Sequence, residues 1–388
     1  MTIIIGINAF HADSSAAIFK DGKLIAAIEE ERLNRVKHFS GFPYLSIRYC
    51  ISVAKCKIYD VDVFAINTKP TSRLIKKVFG ALKYRMNHRF LGERLKSKVE
   101  RANIRSHLER QFGTLGAHTK IEHIEHHISH IASAHFCSGY DHSCSISIDG
   151  FGDYASSLFY VGEGENLIKI GEVNFPHSLG IFYQAITQYL GFPNYGDEYK
   201  VMGLAPYGNP TFMEELRKVV YIDGEFSFKL DLKYFNHHNG MASVRHKNGV
   251  PKIGTLYSSE LENLIGIVPR KPSSKIEKLH FDLAKSAQLR YEEVFIELAN
   301  NLQKNTGYKS LSLAGGCAMN SVANGKIQSK TDFDNIYVQA AAGDAGGAIG
   351  AALISLKRRG LLVSNFKMRH AYWGPGFKNS QIKDLLES

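Results

Sequence analysis

Residues 125–153 read EHHISHIASAHFCSGYDHSCSISIDGFGD, a helix passing into a strand, and the rest of the chain is understood from it. His126 and His130 are four apart, so on a helix they share one face. The SCSISI run reads as a buried strand that delivers Asp149 to its carboxyl end. Two imidazoles and a carboxylate then converge on one cation. Mixed hard and borderline donors suit iron, zinc or manganese, with positions left open for a substrate oxygen. The plain alternative is a helix rich in His, Ala and Ser that packs small side chains against a neighbour.

Outward from this passage, one plan appears twice. Thr2 to Asn8 is a continuous apolar strand, followed by the polar loop AFHADSS, the strand AAIFK, the turn Asp21-Gly22 and the strand KLIAAIEEE. Asp-Gly between apolar runs is a strong hairpin signal, so the chain opens as a three-stranded meander. After SCSISID come a polar loop GFGDYA, a strand SSLFYVG, a turn region at Glu163-Gly164 and a strand LIKIGEV. A meander at the start of each half is the plan of the α/β actin-like (ASKHA) and sugar-kinase-like folds. Their two RNase H-like halves close a cleft over a nucleotide.

Between and after the meanders, helices are expected around Pro43 to Ala54, from His177 with Ser178 opening it, and from His280 to Thr306 with Gly307 as its terminal cap. VFAINTK reads as a strand, and Glu29, Glu30 and Glu31 as a strand end facing Arg32, Arg35 and Lys37. NYGDEYKVMGLAPYGN, without any period, reads as a long glycine-rich loop, and such loops are commonly functional. Residues 219 to 276 carry only weak strand signals. Near the end, the strands SLSLA and NIYVQA each run into a glycine loop that opens a helix, GGCAMNS and AAGDAGGA. Such loops favour an anion and let a nucleotide approach the backbone. Asp344 in the second loop would bring a fourth metal ligand from the opposite wall.

Composition narrows the class. A chain of 388 residues exceeds one ordinary core, and 44% hydrophobic residues suffice to bury two. No apolar run is long enough to span a bilayer and the N-terminus has no leader pattern, so a cytoplasmic protein is expected. Cys50, Cys56, Cys137, Cys144 and Cys317 are scattered and odd in number, as reduced core residues are. The net charge is +11, and twelve Lys or Arg against three Glu fall between Arg73 and Arg110. This basic helical insertion, about 70–112, reads most simply as a solvated face; nucleic acid and membrane are set aside as partners.

Six ordered motifs carry a resemblance: GINAFHADSSAAIFKDGKLIAAIEEERLNRVKHFSGFP, EHHISHIASAHFCSGYD, SISIDGFGD, YKVMGLAPYG, LAGGCAMNSVANGKI and AAAGDAGGAIGAAL. From residue 3 to about 377 they resemble the O-carbamoyltransferases of the nodulation, cephamycin and tobramycin type. More distantly they are similar to the tRNA threonylcarbamoyladenosine transferase subunit. The resemblance implies that carbamoyl phosphate and ATP give carbamoyladenylate, whose carbamoyl group passes to a small-molecule or sugar hydroxyl on a metal, iron in relatives. It places metal ligands at His126, His130, Asp149 and Asp344. His11 corresponds to the base for the acceptor hydroxyl, and Lys37 to a cation near the carbamoyl group. Gly315, Gly316 and Asn320 correspond to the adenosine loop, and Gly180, with Asp149, to adenylate contacts.

The expected organisation is a first half at 1–138, a second half at 139–377, and at 378–388 the start of a linker. Relatives continue into a carbamoyladenylate-forming domain, so the first step is expected to need a separate domain or chain; a homodimer is also compatible. Two competing functions are a sugar- or acetate-kinase-like phosphotransferase, which has no use for the paired histidines, and a non-catalytic protein acting through its basic helix.

Overall fold

The computed structural model describes residues 1–84, 103–240, 242, 244–363 and 366–388, with residues 244–247 described by backbone alone. The insertion residues 85–102, among them Leu91, Leu95 and Val99, whose spacing with Leu108 is partly helical in the sequence, lie outside the described residues.

In the first half, β1 (Ile3–Asn8), β2 (Ser15–Lys20) and β3 (Lys23–Glu29) form the expected antiparallel meander, and β4 (Val63–Ile66) and β5 (Lys120–His123) add in parallel beside β1. The order is β3-β2-β1-β4-β5. Asp21 and Gly22 both take positive φ, 49° and 78°, as a two-residue hairpin requires. Every residue of β1 is buried, which is why its apolar run is unbroken rather than alternating. Helix α1 (Tyr44–Ala54) covers one face; α2 (Leu74–Lys83) and α3 (Ile104–Phe112) lie in the insertion. Helix α4 (His126–Ser138) ends this half with almost every residue buried.

The second half repeats the sheet. Here β6 (His142–Gly152), β7 (Ala155–Glu163) and β8 (Asn166–Asn174) form the meander, and α5 (Leu179–Tyr189) starts at the Ser178 cap. The segment NYGDEYKVMGLAPYGN is not a loop throughout: α6 (Glu198–Leu204) occupies its middle. Only Val201 of α6 is buried, so the sequence shows no apolar period, and Gly208 lets the following turn meet the carbonyl of Phe281, 2.0 Å from where a Cβ would stand. Two small hairpins follow, β9 (Val220–Ile222) with β10 (Phe228–Leu230) and β11 (Val244–Lys247) with β12 (Val250–Ile253). The long helix α7 (Lys278–Thr306) ends at Gly307 with φ 72°. Then β13 (Ser310–Ala314) and β14 (Asn335–Val338) join in parallel, giving the order β14-β13-β6-β7-β8. Counted from its meander, each sheet has the same order.

The expected polar loop after SCSISID is replaced by strand. β6 runs on to Gly152 with a register break between Ile148 and Gly152, and Asp153 and Tyr154 make the turn with φ 50° and 76°. Asp149 therefore sits in a bulge, which re-aims its side chain out of the ladder.

Helix α8 (Gly347–Lys357) packs on β1, β2 and β4, while α4 packs on β6, β7 and β13, so each half roofs the other's sheet. Their contact is backbone-close: a Cβ on Gly350 would stand 1.7 Å from the Ser129 carbonyl oxygen, and one on Gly6 1.8 Å from that of Ala348. A final segment ties both halves, with the Met368 N–H donating to the Cys137 carbonyl (2.9 Å) and the Ala27 N–H to that of Trp373 (3.2 Å). Helix α9 (Asn379–Glu387) buries nothing.

The cysteines are all free, as read from the sequence. Burial pushes the thiols of Cys137 and Cys144 up to about 12 and about 11, so neither is a thiolate near neutrality. Glu30 departs from expectation. It is buried and accepts from the N–H groups of Leu45 (3.0 Å) and Ser46 (2.7 Å), capping α1 instead of facing the nearby cations.

Candidate metal and acyl-transfer site

The site begins with the cap of α4. Glu125 accepts from the Ile128 N–H at 2.7 Å and from Arg73 at 2.7 Å, and Asp153 accepts from the His126 N–H at 3.0 Å. This fixes the first turn and brings His126 and His130 to one face with their Nε2 atoms 3.1 Å apart. Gly152 makes room for the first ring: a Cβ there would lie 1.9 Å from His126 Cδ2. His127, the intervening residue, points into the core and bonds Ser147 Oγ and the Ala155 carbonyl. Burial holds His127 well below the ordinary histidine range, so it is neutral.

Two carboxylates meet the paired rings. Asp149 Oδ2 lies 3.4 Å from His126 Nε2 and 3.2 Å from His130 Nε2. Asp344 Oδ1 lies 3.4 and 3.5 Å from the same atoms. One donor from each of these four residues falls within 4.8 Å of all the others. Donors bound at about 2.1 Å stand about 3.4 Å apart in a tetrahedron and about 3.0 Å apart as octahedral neighbours. The observed separations match that range.

Electrostatics point the same way. Burial disfavours a charged His126, but Asp344 and Asp149 outweigh it and raise its pKa well above the usual value. His130 is raised against burial by the same two acids, and Asp149, despite its burial, is lowered well below the usual range by the two rings. With both rings protonated, two N–H groups would face each other at 3.1 Å. A divalent cation resolves that conflict, because both nitrogens then present lone pairs to it. The residues present therefore fit a metal.

His11 stands beside this group. Its ring stacks on His126 at 4.9 Å, and its Nδ1 is 3.8 Å from Asp344 Oδ2. Three glycines bring backbone against Asp149. A Cβ on Gly180 would lie 2.9 Å from the Gly150 nitrogen, one on Gly315 2.2 Å from the Ile148 oxygen, and one on Gly316 2.9 Å from Asp149 Oδ1. Gly315 also takes φ 93°. The side chain of Asn320 is engaged elsewhere, accepting from the Ala323 N–H and pairing with Gln288. Lys37 is exposed, 5.9 Å from the Tyr199 ring centre, and makes no contact with the four donors. Its neighbour His38 is the inward residue of that loop, with Nδ1 2.8 Å from Asp13 Oδ1.

Several residues here escaped sequence reading. The Arg73, Glu125 and Asp153 cap was legible only as a Glu three residues before Ile128. Tyr195 lies in the segment read as a loop; burial first, then Asp344, Asp13 and Asp149, push its hydroxyl well above the usual range, and its ring meets His38 edge-on at 5.3 Å. Nothing in NYGD marked it.

Two sheets of like order, sharing crossed helices and a four-donor site, define a two-lobed protein of the actin-like fold. The chain belongs to the carbamoyltransferase family, whose N-terminal model (Carbamoyltransferase N-terminus) matches residues 3–353. It is 36% identical over its whole length to the uncharacterised protein sll1178 of Synechocystis, covering 63% of that protein. It is 34% identical to the nodulation protein NolNO of Sinorhizobium fredii, over 95% of this chain and 50% of that protein. The chain thus spans about half to two thirds of these relatives. Among solved structures it is similar to T. kodakarensis HypF, with 15% identity and a TM-score of 0.44 over 95% of this chain and 49% of that one. It is also similar to component A of the Acidaminococcus fermentans (R)-2-hydroxyglutaryl-CoA dehydratase, with 16% identity and a TM-score of 0.42 over 93% and 100%.

Proposed function

We propose that this chain performs the acyl-transfer step of an O-carbamoyltransferase, passing a carbamoyl group from carbamoyladenylate to a hydroxyl of a small molecule or sugar. The observation that carries it is the convergence of His126, His130, Asp149 and Asp344 at metal-ligand spacing, next to His11, in a member of this family. The acceptor oxygen attacks the carbamoyl carbon, the bond from that carbon to the adenylate oxygen breaks, and AMP leaves. His11 takes the alcohol proton, a role that an imidazole fits near neutral pH. Iron, zinc or manganese held by the four donors would offset negative charge on the departing phosphate. Gly180, Gly315 and Gly316 hold their backbones against Asp149, beside which the nucleotide would bind, and the exposed Lys37 is the cation assigned to steady the carbonyl oxygen. Carbamoyladenylate itself, made from ATP and carbamoyl phosphate, is supplied by a separate domain or chain.

The test is a two-protein assay. Labelled carbamoyl phosphate, ATP and a panel of sugars and aminoglycosides are incubated with a carbamoyladenylate-forming protein, with or without this chain. Label should reach an acceptor only when both proteins are present, and AMP should appear in equal amount. Transfer of the ATP γ-phosphate instead would assign the site to a kinase-like reaction. Steady carbamoylation and pyrophosphate release by this chain alone would refute the division of labour.

A further inference from the structure

Helix α2 wears its amphipathicity inside out. Arg73 and Lys77 face the protein: Arg73, with 11% of its side chain exposed, bonds Glu125 at 2.7 Å and Glu172 at 2.9 Å, and Lys77 donates to the Pro70 carbonyl, while the half-exposed Lys76 reaches Glu172 from the edge. Gly80 lies flat on Tyr154, where a Cβ would stand 1.7 Å from the hydroxyl. The opposite face carries Leu74, Ile75, Val78, Phe79 and Leu82, exposed by 45, 73, 60, 68 and 72%. Spaced i, i+1, i+4, i+5 and i+8, they make one stripe. The patch is on the order of 500 Å², the size at which exposed apolar surface marks an interaction site. The sequence expectation was a solvated charged face; on this helix the solvated face is mainly apolar, with Lys76 and Lys83 at its edge.

We propose that this stripe seats the protein on an anionic lipid surface, the five apolar side chains entering the acyl boundary while Lys76 and Lys83 beside them meet headgroup phosphates. Charge selects this occupant. Between Arg73 and Tyr84 the chain holds four cations and no acid, and Lys76 and Lys83 flank the stripe exposed. A second copy bound through the same patch would bring those cations against their own images. Duplex nucleic acid demands outward cations, whereas the outward residues here are aliphatic or Phe. Anionic bilayers take both an apolar stripe and flanking lysines. Arg73 joins the seated helix to Glu125, the cap of α4, so the contact stands one ion pair from His126.

The full chain is pelleted with vesicles of equal parts phosphatidylglycerol and phosphatidylcholine, and with phosphatidylcholine alone. Binding to the anionic vesicles is expected, weakened about tenfold or more by Ile75→Asn with Phe79→Ser. It should also weaken when salt rises from about 0.1 to about 0.5 M. Both side chains are exposed, so the variant should melt like the wild type; a variant that melts early is replaced by Leu82→Gln, read in the same way. No pelleting with anionic vesicles, equal pelleting of the variants, or equal binding to neutral vesicles would overturn the proposal. A dimer in gel filtration that the variant turns into monomer would assign the stripe to a second copy.

Discussion

Replacing Gly152 by Ala tests whether the ring of His126 belongs to a metal site. The new Cβ would stand 1.9 Å from His126 Cδ2, whereas carbon atoms in contact need about 3.5 Å, so the ring must recede by about 1.5 Å. Metal bonds tolerate about 0.2 Å. His126 Nε2 therefore leaves the donor set, and affinity for zinc or manganese should fall about 100-fold, at the upper end of what ligand perturbation costs. At metal concentration 100-fold above the wild-type Kd, the wild type gains about 2.7 kcal/mol of stability and the variant about 0.4 kcal/mol. Gly150→Ala is the matched control, because a Cβ there meets nothing within 4 Å. Calorimetric titration and unfolding with and without metal read both effects. If Gly152→Ala binds metal as tightly as Gly150→Ala and the wild type, the four-donor reading is wrong.

Other outcomes follow from the same geometry. His126 and His130 have raised pKa values, so their stabilisation of the metal-free protein is full below about pH 6.5 and is lost as pH climbs through their folded values. Asp149 is lowered, so its contribution is present above about pH 3.8 and is lost as pH falls through its folded value. Urea midpoints in EDTA should be highest between these limits, and metal affinity should rise with pH as the rings shed protons; a midpoint that climbs steadily above about pH 7 in EDTA would contradict this. Glu30→Ala removes the acceptor for two helix N–H groups and should cost about 1–3 kcal/mol, measured by denaturant unfolding. Gly350→Ala drives α8 into the Ser129 carbonyl and should cost about 2 kcal/mol or more, seen as a lowered Tm.

The parts of this fold that could be read from sequence are those set by local rules. The unbroken apolar run of β1, the Asp21-Gly22 turn, the Ser178 cap and Gly307 all stand where those rules put them. The parts that could not be read depend on distant partners. Helix α6 hides because only Val201 meets the core, and its neighbours Tyr199 and Gly203 are exposed. Gly150 and Gly152 suggested a loop, yet one opens a bulge and the other makes room for an imidazole. Glu30 looked like one of three surface acids because its partners, Leu45 and Ser46, come fifteen and sixteen residues later. Of the site, the spacing of His126 and His130 and the strand before Asp149 were visible, and Asp344 was visible only as an acid in a glycine loop. Lys37 was read as a cation near the carbamoyl group; it is exposed, and the side chain turned inward in its loop, His38, carried no signal of its own.

The exchange of α4 and α8 also governs how the polypeptide can be divided. A cut in the turn before His142 would yield two pieces, each carrying the other's roof and lacking its own. Such fragments should be insoluble apart and regain a native spectrum when refolded together, a complementation that two self-sufficient lobes would not need.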